Sequence, residues 1–213
     1  MKIVLFGATG MIGRRITAEA VHRGHHVVAA SRAGQAPLDH PLLAAARVDA
    51  GSVHQVAEAV GGADAVASAL VPPRDGSDPR APFLALNEAL LEGVRRGGVG
   101  RVVIVGGAGS LTTDGGVRIM DAPGFPAEYR GEALAHADLL EALGRVDDLL
   151  WTSISPAAMI GPGERTGTFR TGGDDLLTDA DGNSAISAED YAIAFVDEVE
   201  RTRHPRARMS VAY

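Results

Sequence analysis

The sequence predicts an α/β protein: a doubly wound parallel sheet in three α/β/α layers, built as one domain over residues 1–213. Three observations point there. Short apolar runs of strand length alternate with amphipathic stretches of helix length, the pattern of parallel strands joined by helical crossovers. The strand runs are continuously apolar, as strands covered on both faces must be. A chain of 213 residues is enough for one sizeable α/β core and too short for two comfortable ones.

Lys2–Phe6 is the first strand, and glycines at 7, 10 and 13 lead from it into a helix over 14–23. Ile12, Ile16, Ala20 and Val21 share one side of that helix, and Gly24 is a natural stop. His26–Ser31 is the second strand. A loop with Gly34 and Pro37 then leads to a short helix around 42–46 and a brief third strand over 47–49. Ser52 caps a helix that runs to Val60. The fourth strand covers 63–70, and Pro72, Pro73, Gly76 and Pro79 mark the loop after it.

A helix over 81–96 turns Phe83, Leu84, Leu86, Leu90, Leu91 and Val94 inward. Arg101–Val105 is the fifth strand and runs into Gly106 and Gly107. The segment 111–126, rich in glycine and proline, has the length of a functional or mobile loop. A helix over 128–143 stops at Gly144, and a sixth strand over 149–154 ends at Pro156. Short strands over 168–171 and 176–178 are expected, with a turn at Asp181-Gly182. Ser187 caps a helix to about residue 200, and 206–211 closes the sheet as an edge strand. Residues 157–213 supply the small substrate-side portion.

Composition narrows the function classes. A formal net charge of -7 argues against a general nucleic-acid surface. No apolar stretch is long enough for a bilayer, and the first apolar run breaks into glycines too soon for a signal peptide. A cytoplasmic protein with no membrane partner is the expectation. Without cysteine there is no disulfide framework, thiolate metal site or thiol nucleophile. His22, His25 and His26 straddle a helix end, where imidazolium favours the helix dipole, and no metal site is expected. Asp174, Asp175, Asp179 and Asp181 read as a solvated acidic turn. Arg201, Arg203, Arg206 and Arg208 read as a solvated helix end beside the edge strand.

The chemistry begins at the glycines. Gly7 makes a tight turn, Gly10 lets the backbone approach a pyrophosphate, and Gly13 lets the helix pack against the strand. The free N–H groups and dipole of that helix favour phosphate. The end of the second strand then selects the cofactor. A carboxylate there would accept hydrogen bonds from a ribose 2′-OH, but this chain has Ser31-Arg32. A guanidinium can grip a 2′-phosphate, so the expectation is NADP(H) over NAD(H).

With these residues the chain resembles an atypical short-chain dehydrogenase/reductase of the NAD(P)H-binding kind, related to biliverdin/flavin reductases and NmrA-like proteins. The resemblance runs through Gly7-Ala8-Thr9-Gly10 to Gly13, Ser31-Arg32, Val48-Asp49, Ser68-Ala69-Leu70, Asn87, the strand at 101–107, and Trp151-Thr152 to Pro156. It implies a Rossmann fold with Gly7, Thr9, Gly10, Met11, Ile12 and Gly13 against the cofactor. It also implies Asp49 beside the adenine, Ser68, Ala69 and Leu70 along the adenosine ribose, and Asn87 bracing the active site. The nicotinamide would lie between Gly106 and Gly107 on one side and Pro156, Ala157 and Met159 on the other. From the residues alone, Asp49 could equally be a turn residue, and Ser68 to Leu70 simply a strand end.

One departure matters. Members of the wider family use Tyr-x-x-x-Lys on the helix after the fifth strand, with a serine on the loop before it. The spacing puts both side chains on one helix face, where the lysine lowers the tyrosine pKa for general acid work. Here Tyr129 is present and position 133 is alanine, while Arg130 points about 100° away. Ser110 stands where the family serine would. Tyr129 and Ser110 are the catalytic candidates, or else a pocket-lining ring and a loop hydroxyl. Hydride transfer to a flavin, quinone or similar conjugated acceptor needs less help from a protein acid than ketone reduction. The acceptor pocket is expected between 111–125 and 157–169, with Met120, Phe125, Met159 and Ile160 as apolar walls. A non-catalytic NADP(H)-sensing protein and a sugar-nucleotide epimerase or dehydratase are the alternatives. The expected state is a monomer or homodimer with a small-molecule acceptor.

Overall fold

A computed structural model describes residues 1–113 and 115–213. The elements follow in the order β1 (Lys2–Phe6), α1 (Met11–His22), β2 (His26–Ser31), β3 (Leu43–Arg47), α2 (Val53–Val60), β4 (Ala65–Ser68), α3 (Arg80–Arg96), β5 (Arg101–Val105), α4 (Ala127–Leu143), β6 (Leu150–Ser155), β7 (Met159–Gly161), β8 (Arg170–Gly172), β9 (Ala185–Ser187), α5 (Ala188–Arg201) and β10 (Ala207–Ala212). Eight strands form one sheet in the order β3-β2-β1-β4-β5-β6-β10-β8, and β7 pairs β9 in a small parallel ribbon. All pairings in the large sheet are parallel except β10 with β8. This is the doubly wound arrangement expected, a Rossmann-type sheet whose direction of winding reverses between β1 and β4.

Strand alternation sorts the core into two layers. Leu5, Ala29 and Val103 face α1 and α5, where Ile16, Tyr191 and Phe195 are buried. Val4, Phe6 and Val102 face the other way, against Val56, Phe83, Leu90 and Leu139. Both faces are therefore covered, which is why the strand runs carry so few polar residues. Tyr191 is fully buried, and its hydroxyl donates to the Ile154 carbonyl at 2.7 Å, fastening α5 to β6. At the far end of the sheet Arg101 donates to Glu198 and to Thr152, each at 2.8 to 2.9 Å, so a buried ion pair ties β5, β6 and α5 together.

Four local expectations are corrected. The alanine-rich stretch 42–46 is not helical but lies in β3, and the third strand is Leu43–Arg47 rather than 47–49. Backbone pairing with β2 outweighs alanine's helix preference there. Residues 176–178 form no strand, because Leu176 instead donates its N–H to Thr112 of the distant 111–126 segment. The last strand is not an edge, since β8 covers it. Ribbon β7–β9 was not foreseen: its strands are three residues each, too short for a periodicity.

Candidate functional site

The sheet brings the predicted cofactor residues to one edge. The glycine turn follows β1, Ser31 ends β2 with Arg32 after it, Asp49 follows β3, Ser68 ends β4, Gly106 follows β5, and Pro156 follows β6. In a parallel sheet these are all carboxyl ends, and the crevice opens where β1 and β4 lie side by side.

The glycine turn has the required geometry. Gly7 has φ of +78°, and a Cβ on it would meet the Ala69 carbonyl oxygen at 2.4 Å. A Cβ on Gly13 would lie 2.0 Å from the Gly7 carbonyl oxygen, so α1 packs directly on the turn. At Gly10 the nearest atom to such a Cβ is 3.5 Å away, which leaves that backbone open to approach. No side chain caps α1 and its first turn holds no acid. Arg14 N–H, bonding the Gly10 carbonyl at 3.0 Å, is where the helical ladder begins, so the amides of Met11, Ile12 and Gly13 are available to a ligand. Thr9 is exposed beside them. These features fit a dinucleotide pyrophosphate.

At the ends of β2 and β3, where the adenosine is expected, Ser31 Oγ accepts the Gln35 N–H at 3.1 Å, and Arg32 is exposed. Asp49 makes an Asx turn, its Oδ1 accepting the Gly51 N–H at 3.0 Å, which is the turn role left open above. Ala69 continues the β1 ladder by donating to the Phe6 carbonyl at 2.8 Å. Among the described residues, Ser68 Oγ, Asn87 Oδ1 and His136 Nδ1 are buried without hydrogen-bond partners. Asn87 Nδ2 donates to the Phe83 carbonyl at 2.9 Å, and the Phe83 ring meets the His136 imidazole edge-on at 5.0 Å.

His136 carried no signal in the sequence, yet it packs against the β5 turn so closely that a Cβ on Gly107 would lie 2.8 Å from its own. Burial pushes its pKa down to about 4, with Arg74 assisting and Glu132 opposing, so the ring is neutral near pH 7.

The catalytic candidates are not assembled into one unit. Ser110 Oγ accepts from the Arg208 guanidinium at 2.8 Å, and Arg208 also pairs with Asp174 at 2.7 Å. Arg208 is therefore no solvated tail residue: its side chain is 7% exposed, held against the sheet by β10. Asp174 and Asp175 also serve as ties, since Thr112 hydrogen-bonds both. Ser110 and Arg208, with Arg118 and Leu134, line a groove of about 440 Å³ beside α4. Tyr129 stands 59% exposed at the start of α4, and among the described residues its hydroxyl has no hydrogen-bond partner. Ala133 is buried, with its Cβ 2.5 Å from where Gly109 would carry one. The helix rests on the β5 loop at that point, and a lysine would have to displace it.

Segment 111–126 is less free than its composition suggested. Thr113 and Val117 close a small hairpin, a 3-10 turn spans Ile119–Asp121, and Thr112 bonds Asp174 and Leu176. Met120 is only 1% exposed and belongs to the core rather than to a pocket wall. Met159 is 71% exposed on β7, with Ile160 half-buried beside it.

Fold and site together define a dinucleotide-binding α/β protein. Residues 7–202 match the family model described as NAD(P)H-binding, and the chain belongs to that family. Three solved structures resemble it over its whole length. A candidate exported protein from Burkholderia pseudomallei is 49% identical, with full coverage of both chains and a TM-score of 0.89. A candidate epimerase from Bacteroides thetaiotaomicron is 37% identical over 100% of this chain and 96% of its own, with a TM-score of 0.91. A candidate NADH-flavin reductase from Streptococcus pneumoniae is 32% identical over 100% and 99%, with a TM-score of 0.83. Among the described residues, no helix is long and apolar enough to cross a membrane.

Proposed function

We propose that this chain is an NADPH-dependent oxidoreductase acting on a small conjugated or carbonyl acceptor, such as a flavin or quinone. The observation that carries the reading is the uncapped N-terminus of α1 above the open backbone of Gly10, at the β1–β4 crevice. Bound there, NADPH supplies the hydride. The amides of Met11, Ile12 and Gly13 would hold the pyrophosphate, and Arg32 would hold the 2′-phosphate. Gly106, Gly107, Pro156 and Ala157 would give the nicotinamide a floor without bulky side chains.

The kind of acceptor follows from what stands near it. Alkoxide formation from a ketone calls for a tuned protein acid, whereas a conjugated ring spreads the incoming charge and can take its proton from water. With Ala133 in the lysine's place, Tyr129 exposed and Ser110 engaged by Arg208, this chain suits the second kind. The name of the pneumococcal relative agrees with that choice. An epimerase reading, as for the Bacteroides relative, asks for a larger substrate portion than 157–213. The missing lysine also suits a non-catalytic NADP(H) sensor.

The test is to mix the protein with NADPH and a panel of flavins, quinones and aldehydes while following nicotinamide absorbance. Oxidation with flavins or quinones is expected. Tight NADPH binding with no oxidation anywhere would establish the sensor instead, and no binding would sink both. In Arg32→Ala the NADPH affinity should fall relative to NADH; an unmoved ratio removes Arg32 from the site.

A further inference from the structure

The adenosine end holds a second cation. Register pairs Ser31 of β2 with Arg47 of β3. The Ser31 carbonyl accepts the Val48 N–H at 3.0 Å and the Gly34 N–H at 3.1 Å, so the turn at 31–34 folds back over the end of β3. Gly34 has φ of +66°, and a Cβ on it would lie 3.2 Å from the Arg47 Cβ. The turn that carries Arg32 therefore rests on the stem of Arg47. Both side chains are exposed.

Most arginines of this chain are paired, though Arg203 and Arg206, like these two, have no side-chain partner among the described residues. Arg15 pairs with Glu189, Arg23 with Glu19, Arg74 with Glu132, Arg80 with Asp138 and Arg95 with Asp148. Among the described residues, neither Arg32 nor Arg47 has an ion pair or a side-chain hydrogen bond. Two uncompensated guanidiniums at one turn repel each other mildly, and a dianion between them would gain from both. A cation on an exposed edge strand can instead serve only to discourage edge pairing, but that role does not need a turn packed on its stem.

We propose that Arg47 is a specificity-determining residue, the second arm of a clamp in which Arg32 and Arg47 together receive the 2′-phosphate of NADP(H). This rests on the NADP(H) reading above. NADPH and NADH differ only in that phosphate, so titrating both by nicotinamide fluorescence isolates it. Wild type, Arg47→Gln, Arg47→Lys and Arg32→Gln would be compared, with melting temperatures as a check on folding.

Arg47→Gln should weaken NADPH about tenfold, the scale of a lost charge-assisted contact, and leave NADH unchanged. Arg47→Lys should recover part of the loss, and the steeper salt dependence of NADPH binding should flatten in Arg47→Gln. If wild type prefers NADPH and Arg47→Gln keeps that preference, Arg47 is an edge-strand charge and the clamp is refuted. If wild type itself binds both cofactors equally, the NADP(H) reading falls and takes the clamp with it.

Discussion

At the β1–β3 end of the crevice, which the proposal gives to the adenosine, stand open backbone amides and two arginines with no partner among the described residues. At the β5–β6 end, Ser110 is bonded to Arg208, Ala133 is packed on the β5 loop, and Thr112 is tied to Asp174 and Asp175. The first end leaves its polar groups open. The second is tied to itself, and the Tyr129 hydroxyl there has no hydrogen-bond partner among the described residues. The difference teaches that one end of the crevice keeps polar groups unpaired while the other engages them in contacts within the chain, which is the contrast the proposed reaction has to meet.

The largest expected effect breaks the adenosine side at its centre. Gly10 has extended backbone and room for a Cβ, so Gly10→Asp should fold with aspartate as a good helix cap. It should raise stability by about 0.3 kcal/mol and cut NADPH affinity by about a thousandfold, because a carboxylate takes the place of the phosphate. Thermal melting and a cofactor titration check both signs. Retained binding would remove the phosphate from α1.

Beneath the other end, His136 sets a pH dependence. Its folded pKa of about 4 lies below the unfolded value of 6.5, so unfolding takes up a proton between these limits. Its contribution is complete above pH 6.5 and is lost as pH falls towards 4, amounting to about 3 kcal/mol. Glu19, Asp190 and Glu198 have pKa values held low by their hydrogen bonds and charges, despite burial that opposes this, so their losses come at lower pH than the onset of the His136 loss. Urea midpoints measured across this range should slope in wild type and flatten above pH 4.5 in His136→Gln.

Smaller effects sharpen the contrast. Tyr129→Phe and Ser110→Ala should each lower kcat with a flavin or quinone by less than about threefold, whereas loss of a true general acid costs about 100-fold or more. A loss of that larger size would restore Tyr129 as the acid. Thr112→Val removes the two side-chain ties of segment 111–126 to Asp174 and Asp175 and should raise the acceptor KM about twofold, with NADPH affinity unchanged.

Much of the adenosine end was legible in the sequence because it is local. Gly7, Gly10 and Gly13 act through their own backbone within one turn, and Ser31-Arg32 sits at the end of a strand with clear bounds. Arg47 was not legible, since its place against the turn of Arg32 depends on the β2–β3 register, and the sequence puts it at the start of a strand over 47–49 rather than at the end of one over 43–47. The acceptor end was harder still. Arg208 reaches Ser110 across 98 positions of sequence, and the orphaned atoms of Ser68, Asn87 and His136 gather from β4, α3 and α4.

What the sequence determined by itself was the alternation of strands and helices, the glycine turn and the missing lysine, because periodicity, glycine and a residue's identity are properties of the chain nearby. Tertiary structure alone decided which strand took the edge, that Ser110 would be spent on Arg208, that Met120 would enter the core, and that the turn carrying Arg32 would rest on the stem of Arg47. Those outcomes depend on register and packing between distant segments, where burial and pairing outweigh local preference.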